Sequence, residues 1–234
     1  MIIINLYNYH FLCSMSFGYL VSIKCINLFM KNKSAYQLTY PMRLYNLLQI
    51  LLNIYMVCGL YNLPFLPENP NIFGINAPYN NNIKYFLEFH YFSKYVDFID
   101  TIIMAFRKKN RQISFLHVYH HISVCFIWGL LCNIGHNNGT AGFTALTNSI
   151  IHIIMYSHYL ITSFGYNNPF KKIITSCQMV QFILFMIHST SVIIWEINFP
   201  KTIGLFQLIY SFHMLSLFSD FYLQNYYKKQ EMLE

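Results

Sequence analysis

Three histidines, His117, His120 and His121, stand within five residues of one another in the stretch FLHVYHHISVCFIW (115–128). Their i, i+3, i+4 spacing brings all three rings onto one face of a helix. The flanking residues are apolar, and no acid lies nearby in the chain to neutralise them. Imidazoles placed in this way can ligate a transition metal. Alternatively a neutral ring, whose unperturbed pKa of about 6.5 leaves it largely uncharged at pH 7, acts as a base or nucleophile. An acyl-imidazole is reactive enough to hand its acyl group on but hydrolyses unless water is kept away, and the interior of a helical bundle supplies that dryness. A single histidine on an apolar face is more often a core residue; three together point to function.

Other polar groups recur in apolar surroundings. Lys94, Asp97 and Asp100 fall at i, i+3 and i+6 with Thr101 beside them, either as functional groups or as an intrahelical ion pair that makes the segment tolerable in a membrane. In NSIIHIIMYSHY (148–159), Asn148, His152, Met155, Tyr156 and Tyr159 share one helical stripe. In TSCQMVQF (175–182), Thr175, Gln178 and Gln181 recur at steps of three, a pattern that interhelical hydrogen bonding also produces. The six cysteines show no CxxC or zinc-type spacing and read as buried thiols.

The elements that must hold these residues follow from composition. Of the 234 residues, 56% are hydrophobic, 19% aromatic and only 10% charged, with a mean hydropathy of +0.37. So few charges cannot cover a water-facing surface, which makes the chain an all-α integral membrane protein forming one polytopic domain over 1–234. The net charge of +7 comes with no basic stripe interleaved with aromatics, so nucleic acid is not the expected partner. Apolar runs long enough to cross a bilayer predict seven helices, near 11–30, 44–63, 84–106, 114–133, 141–164, 175–195 and 202–222. The first lacks the charged start and cleavage site of a signal peptide and is expected to be retained.

Hydropathy alone argues against the third span, because it carries Glu88, His90, Lys94, Asp97 and Asp100. Charge topology argues for it. With seven spans, one side receives Lys31, Lys33, Arg43, Arg107, Lys108, Lys109, Arg111, Lys171, Lys172, Lys228 and Lys229, and the other only Lys84 and Lys201. The positive-inside rule then puts the first group in the cytosol, with a lumenal N-terminus and a cytosolic C-terminus. The Pro- and Asn-rich connector at 64–82 is expected to be a lumenal loop, and the sequon at Asn138 also falls on that side.

A HxxHH pattern first suggests a metal-dependent membrane desaturase or hydroxylase. Such enzymes need imidazole ligands from several histidine clusters, and this chain has one, although a single metal held by the cluster and His152 stays open. HExxH is absent, so zinc proteolysis has no support. A non-enzymatic seven-helix transporter or receptor is a further alternative.

Four segments, KYVDFIDT (94–101), HVYHH (117–121), NSIIHIIMYSHY (148–159) and KKIITSCQMVQF (171–182), in this order, closely resemble the motifs of the ELO family of very-long-chain fatty acid elongases. MKNK (30–33) and RLYN (43–46) resemble its N-terminal pattern. The resemblance implies a 3-oxoacyl-CoA synthase of the endoplasmic reticulum membrane, with six of seven helices forming a barrel around an acyl-chain tunnel. It implies condensation of a fatty acyl-CoA with malonyl-CoA, releasing CO2 and CoA, with no metal or other cofactor. His120 is then the residue that accepts the acyl group, with His117 and His121 orienting it and shuttling protons, and with His152 and Asn148 polarising the thioester or the enolate. Lys94, Asp97, Asp100, Tyr156, Tyr159, Gln178 and Gln181 become substrate-binding candidates, and Arg107, Lys108, Lys109, Arg111, Lys171 and Lys172 partners for the phosphates of CoA. Asp97 stands where the family usually has Glu, and His158 where it usually has Tyr. A ketoreductase, a dehydratase and an enoyl reductase are the partners that the reaction implies, in a lipid membrane that also admits a homodimer. Cys125, four residues beyond His121, is a rival nucleophile.

Overall fold

The computed structural model describes residues 8–61, 72–136, 139–166 and 169–227. Among these residues are seven α-helices: α1 (Tyr9–Met30), α2 (Thr39–Leu60), α3 (Asn81–Phe106), α4 (Phe115–Asn133), α5 (Gly142–Ser163), α6 (Lys171–Trp195) and α7 (Lys201–Tyr226). A single 3-10 turn covers Gly139–Ala141, and the described residues contain no strand. By length and composition α1, α2, α4, α6 and α7 can each cross a bilayer, so the protein is a multi-pass membrane protein of the all-α class. The other two helices, α3 and α5, carry Lys94, Asp97 and Asp100 and the Asn148, His152, Tyr156 and Tyr159 stripe respectively. Asn138, Lys228, Lys229 and the 62–71 part of the expected loop lie outside the described residues.

Local chemistry sets the helix ends. The side chain of Asn8 accepts from His10 N at the start of α1, that of Asn80 accepts from Asn82 N and Ile83 N before α3, and that of Ser114 accepts from His117 N before α4. Each meets a donor that a helix start leaves unpaired. Pro41 sits in the first turn of α2, where its missing N–H costs no intrahelical bond. At the end of α4, Gly135 takes φ 76°, with its N–H on Cys132 O and the His136 N–H on Leu131 O. The end of α3 repeats this geometry with a lysine, Lys108, at φ 54°.

The chain forms two compact units, residues 1–45 with 87–137 and residues 46–86 with 138–234. In the first, α1, α3 and α4 share a core in which a Cβ added at Gly129 would fall onto Leu12 and Tyr91. Only glycine admits that approach. In the second, α6 and α7 form a hairpin whose turn carries Glu196, buried and bonded by the Thr140 hydroxyl (2.6 Å), Asn76 N (2.8 Å), Ile197 N and Asn198 N. A buried carboxylate is tolerable when its lone pairs are taken up in this way.

Candidate functional site

In the first unit α3 and α4 run antiparallel, as the contacts His90 to Trp128, Tyr95 to Cys125 and Asp100 to His117 and His121 show. This register brings Asp100 to the histidine box. Its Oδ1 lies 3.5 Å from His117 Nε2 and its Oδ2 3.6 Å from His121 Nε2. The box is therefore not without an acid: the chain places none beside it, but α3 supplies one. The two paired rings lie one helical turn apart with centroids at 4.3 Å, while His120, 6.0 Å from His121 and turned by 76°, stands outside the trio.

A chain of hydroxyls fixes this arrangement. The Thr101 hydroxyl donates to Asp100 Oδ1 at 2.9 Å, which leaves its oxygen to accept from the Tyr19 hydroxyl and from His117 Nε2–H, each at 2.8 Å. One proton assignment satisfies all three contacts and puts the proton of His117 on Nε2. Tyr19 is held in turn by stacking on Phe98, with ring centroids 4.1 Å apart. Lys94, His117, Asp97 and Asp100 all lie within electrostatic reach of His120. Lys94 and Asp97 form a buried ion pair at 3.3 Å. Cys125 is buried and hydrogen-bonded to Tyr95.

Among the described residues, one group could hold a metal ion: Asp100, His117 and His121, whose ligand atoms all lie within 4.8 Å of one another. An N,N,O donor set of this kind suits zinc or iron. At the end of α3, Arg107 donates to Met42 Sδ and Lys108 to Lys31 O, while Lys108, Lys109 and Arg111 are exposed.

The second unit holds the α5 stripe. Asn148, His152 and Tyr156 are buried, Met155 is half-buried and Tyr159 is exposed. The rings of His152 and Tyr156 meet edge to face at 5.7 Å. From α6, Gln178 Nε2 reaches Met155 Sδ at 3.5 Å, Gln181 is buried, and Thr175 meets the Tyr226 hydroxyl at 3.3 Å. Lys171 and Lys172 are exposed, and the ammonium of Lys172 lies over the rings of Tyr222 and Tyr227. The α2 amides were missed in the sequence. Asn46, Gln49 and Asn53 are 3%, 0% and 1% exposed, and Gln49 Nε2 donates to the Tyr156 hydroxyl at 3.4 Å. Their i, i+3, i+7 spacing within an otherwise leucine-rich helix is the signal that could have found them.

The family model described as GNS1/SUR4 (ELO) matches residues 5–233. The chain is 43% identical over 215 residues to "Fatty acid elongase 5" of Leishmania major, covering 92% of this chain and 85% of that one. It is 40% identical over 212 residues to "Fatty acid elongase 5" of Trypanosoma cruzi (strain CL Brener), covering 91% and 82%. To "Very long chain fatty acid elongase 5" of Homo sapiens it is 36% identical over 233 residues, covering 94% and 74%.

Proposed function

This chain belongs to the ELO (GNS1/SUR4) family, and from that premise we propose that it is a fatty acid elongase: a 3-oxoacyl-CoA synthase that condenses a fatty acyl-CoA with malonyl-CoA. The observation that carries the mechanism is the division of labour within the histidine box. Asp100 engages His117 and His121, and His120 stands apart from them. The imidazole of His120 attacks the thioester carbonyl of the acyl-CoA; the C–S bond breaks, CoA leaves as the thiol, and an acyl-imidazole remains. Malonyl-CoA then loses CO2, and the electron pair of the broken C–C bond becomes an enolate. Its carbon attacks the acyl-imidazole, forms the new C–C bond and releases 3-oxoacyl-CoA, two carbons longer, with His120 regenerated.

His117 and His121, held by Asp100, carry protons to and from the reacting groups. His152 and Asn148 stabilise negative charge as it develops on oxygen. Lys94, Asp97, Tyr156, Tyr159, Gln178 and Gln181 contact the substrates, and Arg107, Lys108, Lys109, Arg111, Lys171 and Lys172 attract the phosphates of CoA. In this reading all seven helices cross the endoplasmic reticulum membrane, six of them around the acyl chain, with a lumenal N-terminus. The charge asymmetry supports a crossing by α3, since without it the later basic clusters would alternate between faces. The product requires reduction, dehydration and a second reduction, which separate enzymes supply.

The test incubates membranes expressing the chain with a panel of acyl-CoAs and radiolabelled malonyl-CoA, beside His120→Ala. Labelled 3-oxoacyl product from the parent alone is the expected result. No product from a folded parent across the panel counts against the elongase, and product from His120→Ala against the nucleophile. The Asp100, His117 and His121 trio favours one second reading, a metal-dependent lipid oxidase. That reading predicts stoichiometric iron or zinc after purification, with activity lost on chelation and regained on reloading.

A further inference from the structure

Most of α1 is exposed. Its buried residues are Leu12, Tyr19 and Met30, and of these only Tyr19 carries a hydrogen-bond donor on its side chain. Packing explains the tyrosine ring, which stacks on Phe98 with centroids 4.1 Å apart and lies 6.3 Å from the ring of His121. It does not explain the hydroxyl, since phenylalanine fills the same space with no polar atom to desolvate. That hydroxyl reaches Thr101 Oγ1 at 2.8 Å, within the first unit.

Thr101 is oriented in an uncommon way. A buried hydroxyl on a helix often turns back to a carbonyl three or four residues earlier, as Ser93 does to His90 O, Ser149 to Ala145 O and Ser189 to Phe185 O. Among the described residues Thr101, 0% exposed, makes no such bond; its hydroxyl donates to Asp100 Oδ1 at 2.9 Å and meets His117 Nε2 at 2.8 Å. This donation uses the one hydrogen that the threonine has, so the hydrogen of the Tyr19 contact comes from Tyr19. Asp100 and Thr101 stand on α3 and His117 on α4, and the tyrosine arrives from a third helix to add its bond to the same oxygen.

We infer that Tyr19 is a positioning residue for the histidine box: its hydroxyl holds that of Thr101 toward α4, which keeps the proton of His117 on Nε2 and leaves Nδ1 as the nitrogen that exchanges protons during condensation. Without Tyr19, the threonine hydroxyl regains the choice of turning back to the carbonyl of Asp97, four residues earlier. His117 Nε2–H then loses its nearest acceptor, and either ring nitrogen can carry the proton. This role presupposes the condensation proposed above, in which His117 carries protons. Tyr19 acts through Thr101 and His117 and not on the substrate.

Tyr19→Phe keeps the ring and its stack on Phe98 and removes only the hydroxyl. Measured with acyl-CoA and malonyl-CoA and scaled to folded protein, kcat falls about fivefold, the worth of one neutral hydrogen bond, while both KM values stay within about twofold. Thr101→Val is the background that separates positioning from packing. In it Tyr19→Phe changes kcat by less than about twofold, because the bond it breaks is already gone. A loss below about twofold in the parent background, a loss expressed in KM alone, or an equal loss in both backgrounds overturns the assignment. A second measurement needs no turnover. Nitrogen NMR of ring-labelled histidine in mildly alkaline detergent solution, assigned to His117 by difference against His117→Gln, reads the tautomer directly. The parent shows the Nε2–H form and Tyr19→Phe a mixture of the two; an Nδ1–H parent, or a variant spectrum unchanged from the parent, overturns the assignment. A parent that condenses no acyl-CoA defeats the elongase reading on its own, and the NMR comparison still decides whether Tyr19 sets the tautomer of His117.

Discussion

Replacing Asp100 by asparagine removes one charge and leaves the shape of the side chain almost unchanged. The carboxylate offers one oxygen to His117 Nε2 at 3.5 Å and the other to His121 Nε2 at 3.6 Å. An amide carries no charge to attract either ring and turns an NH2 toward one of the two Nε2 positions. Contacts to a charged group contribute about 1.5–3 kcal/mol each, and at these separations the lower value applies. Since about 1.4 kcal/mol is a factor of ten in rate, Asp100→Asn should lower kcat roughly tenfold. Asp100→Ala loses both contacts and should lower it roughly a hundredfold. In the labelled malonyl-CoA assay both KM values should stay within about twofold of the parent, because the carboxylate acts through the rings and not on the substrate. Activity of either variant within twofold of the parent, or an alanine variant no worse than the asparagine one, would falsify the claim that Asp100 holds the box.

Three further outcomes follow from the same unit. Cys125→Ser should retain turnover, since that thiol is engaged by Tyr95; an inactive but folded variant makes the cysteine the nucleophile. Lys94→Met leaves Asp97 buried without its partner and should cost about 3–5 kcal/mol of stability, most of it recovered in the Lys94→Met/Asp97→Leu double variant, as detergent unfolding curves will show. Gly129→Val drives a side chain into Leu12 and Tyr91 and should cost about 1–3 kcal/mol by overpacking; an unchanged Tm would mean that the three helices separate freely at that level.

The helices were legible in the sequence to different degrees, for a physical reason. Expected bounds of 114–133 meet α4 at Phe115–Asn133, because Ser114 and Gly135 mark its ends chemically as well as by hydropathy. The second span, expected at 44–63, is α2 at Thr39–Leu60. Hydropathy reports where lipid begins, whereas the hydrogen-bonded helix starts a turn earlier, over Thr39, Pro41 and Arg43. For the same reason α6 starts at Lys171 and not at 175, and α7 runs on to Tyr226.

Within the site, the shared face of the histidines and of the α5 stripe follows from periodicity. The pairing of Asp100 with His117 and His121 does not, because it depends on the register between α3 and α4, which periodicity within each helix leaves undetermined. The α2 amides escaped notice because each is a common residue taken singly. Their meaning lies in which side of the helix is enclosed.

The buried Glu196 bears on the order in which the chain can finish folding. Its partners Asn76 and Thr140 precede it by 120 and 56 residues. At synthesis rates of 5–20 residues per second, Thr140 waits roughly 3–11 s for the carboxylate that will take its hydroxyl. Once the α6 and α7 turn closes, the hydroxyl is consumed as a donor to Glu196. The donors of Asn76 and Thr140 thus wait for Glu196 over a time that translation sets, and slowing the ribosome between codons 140 and 196 lengthens it.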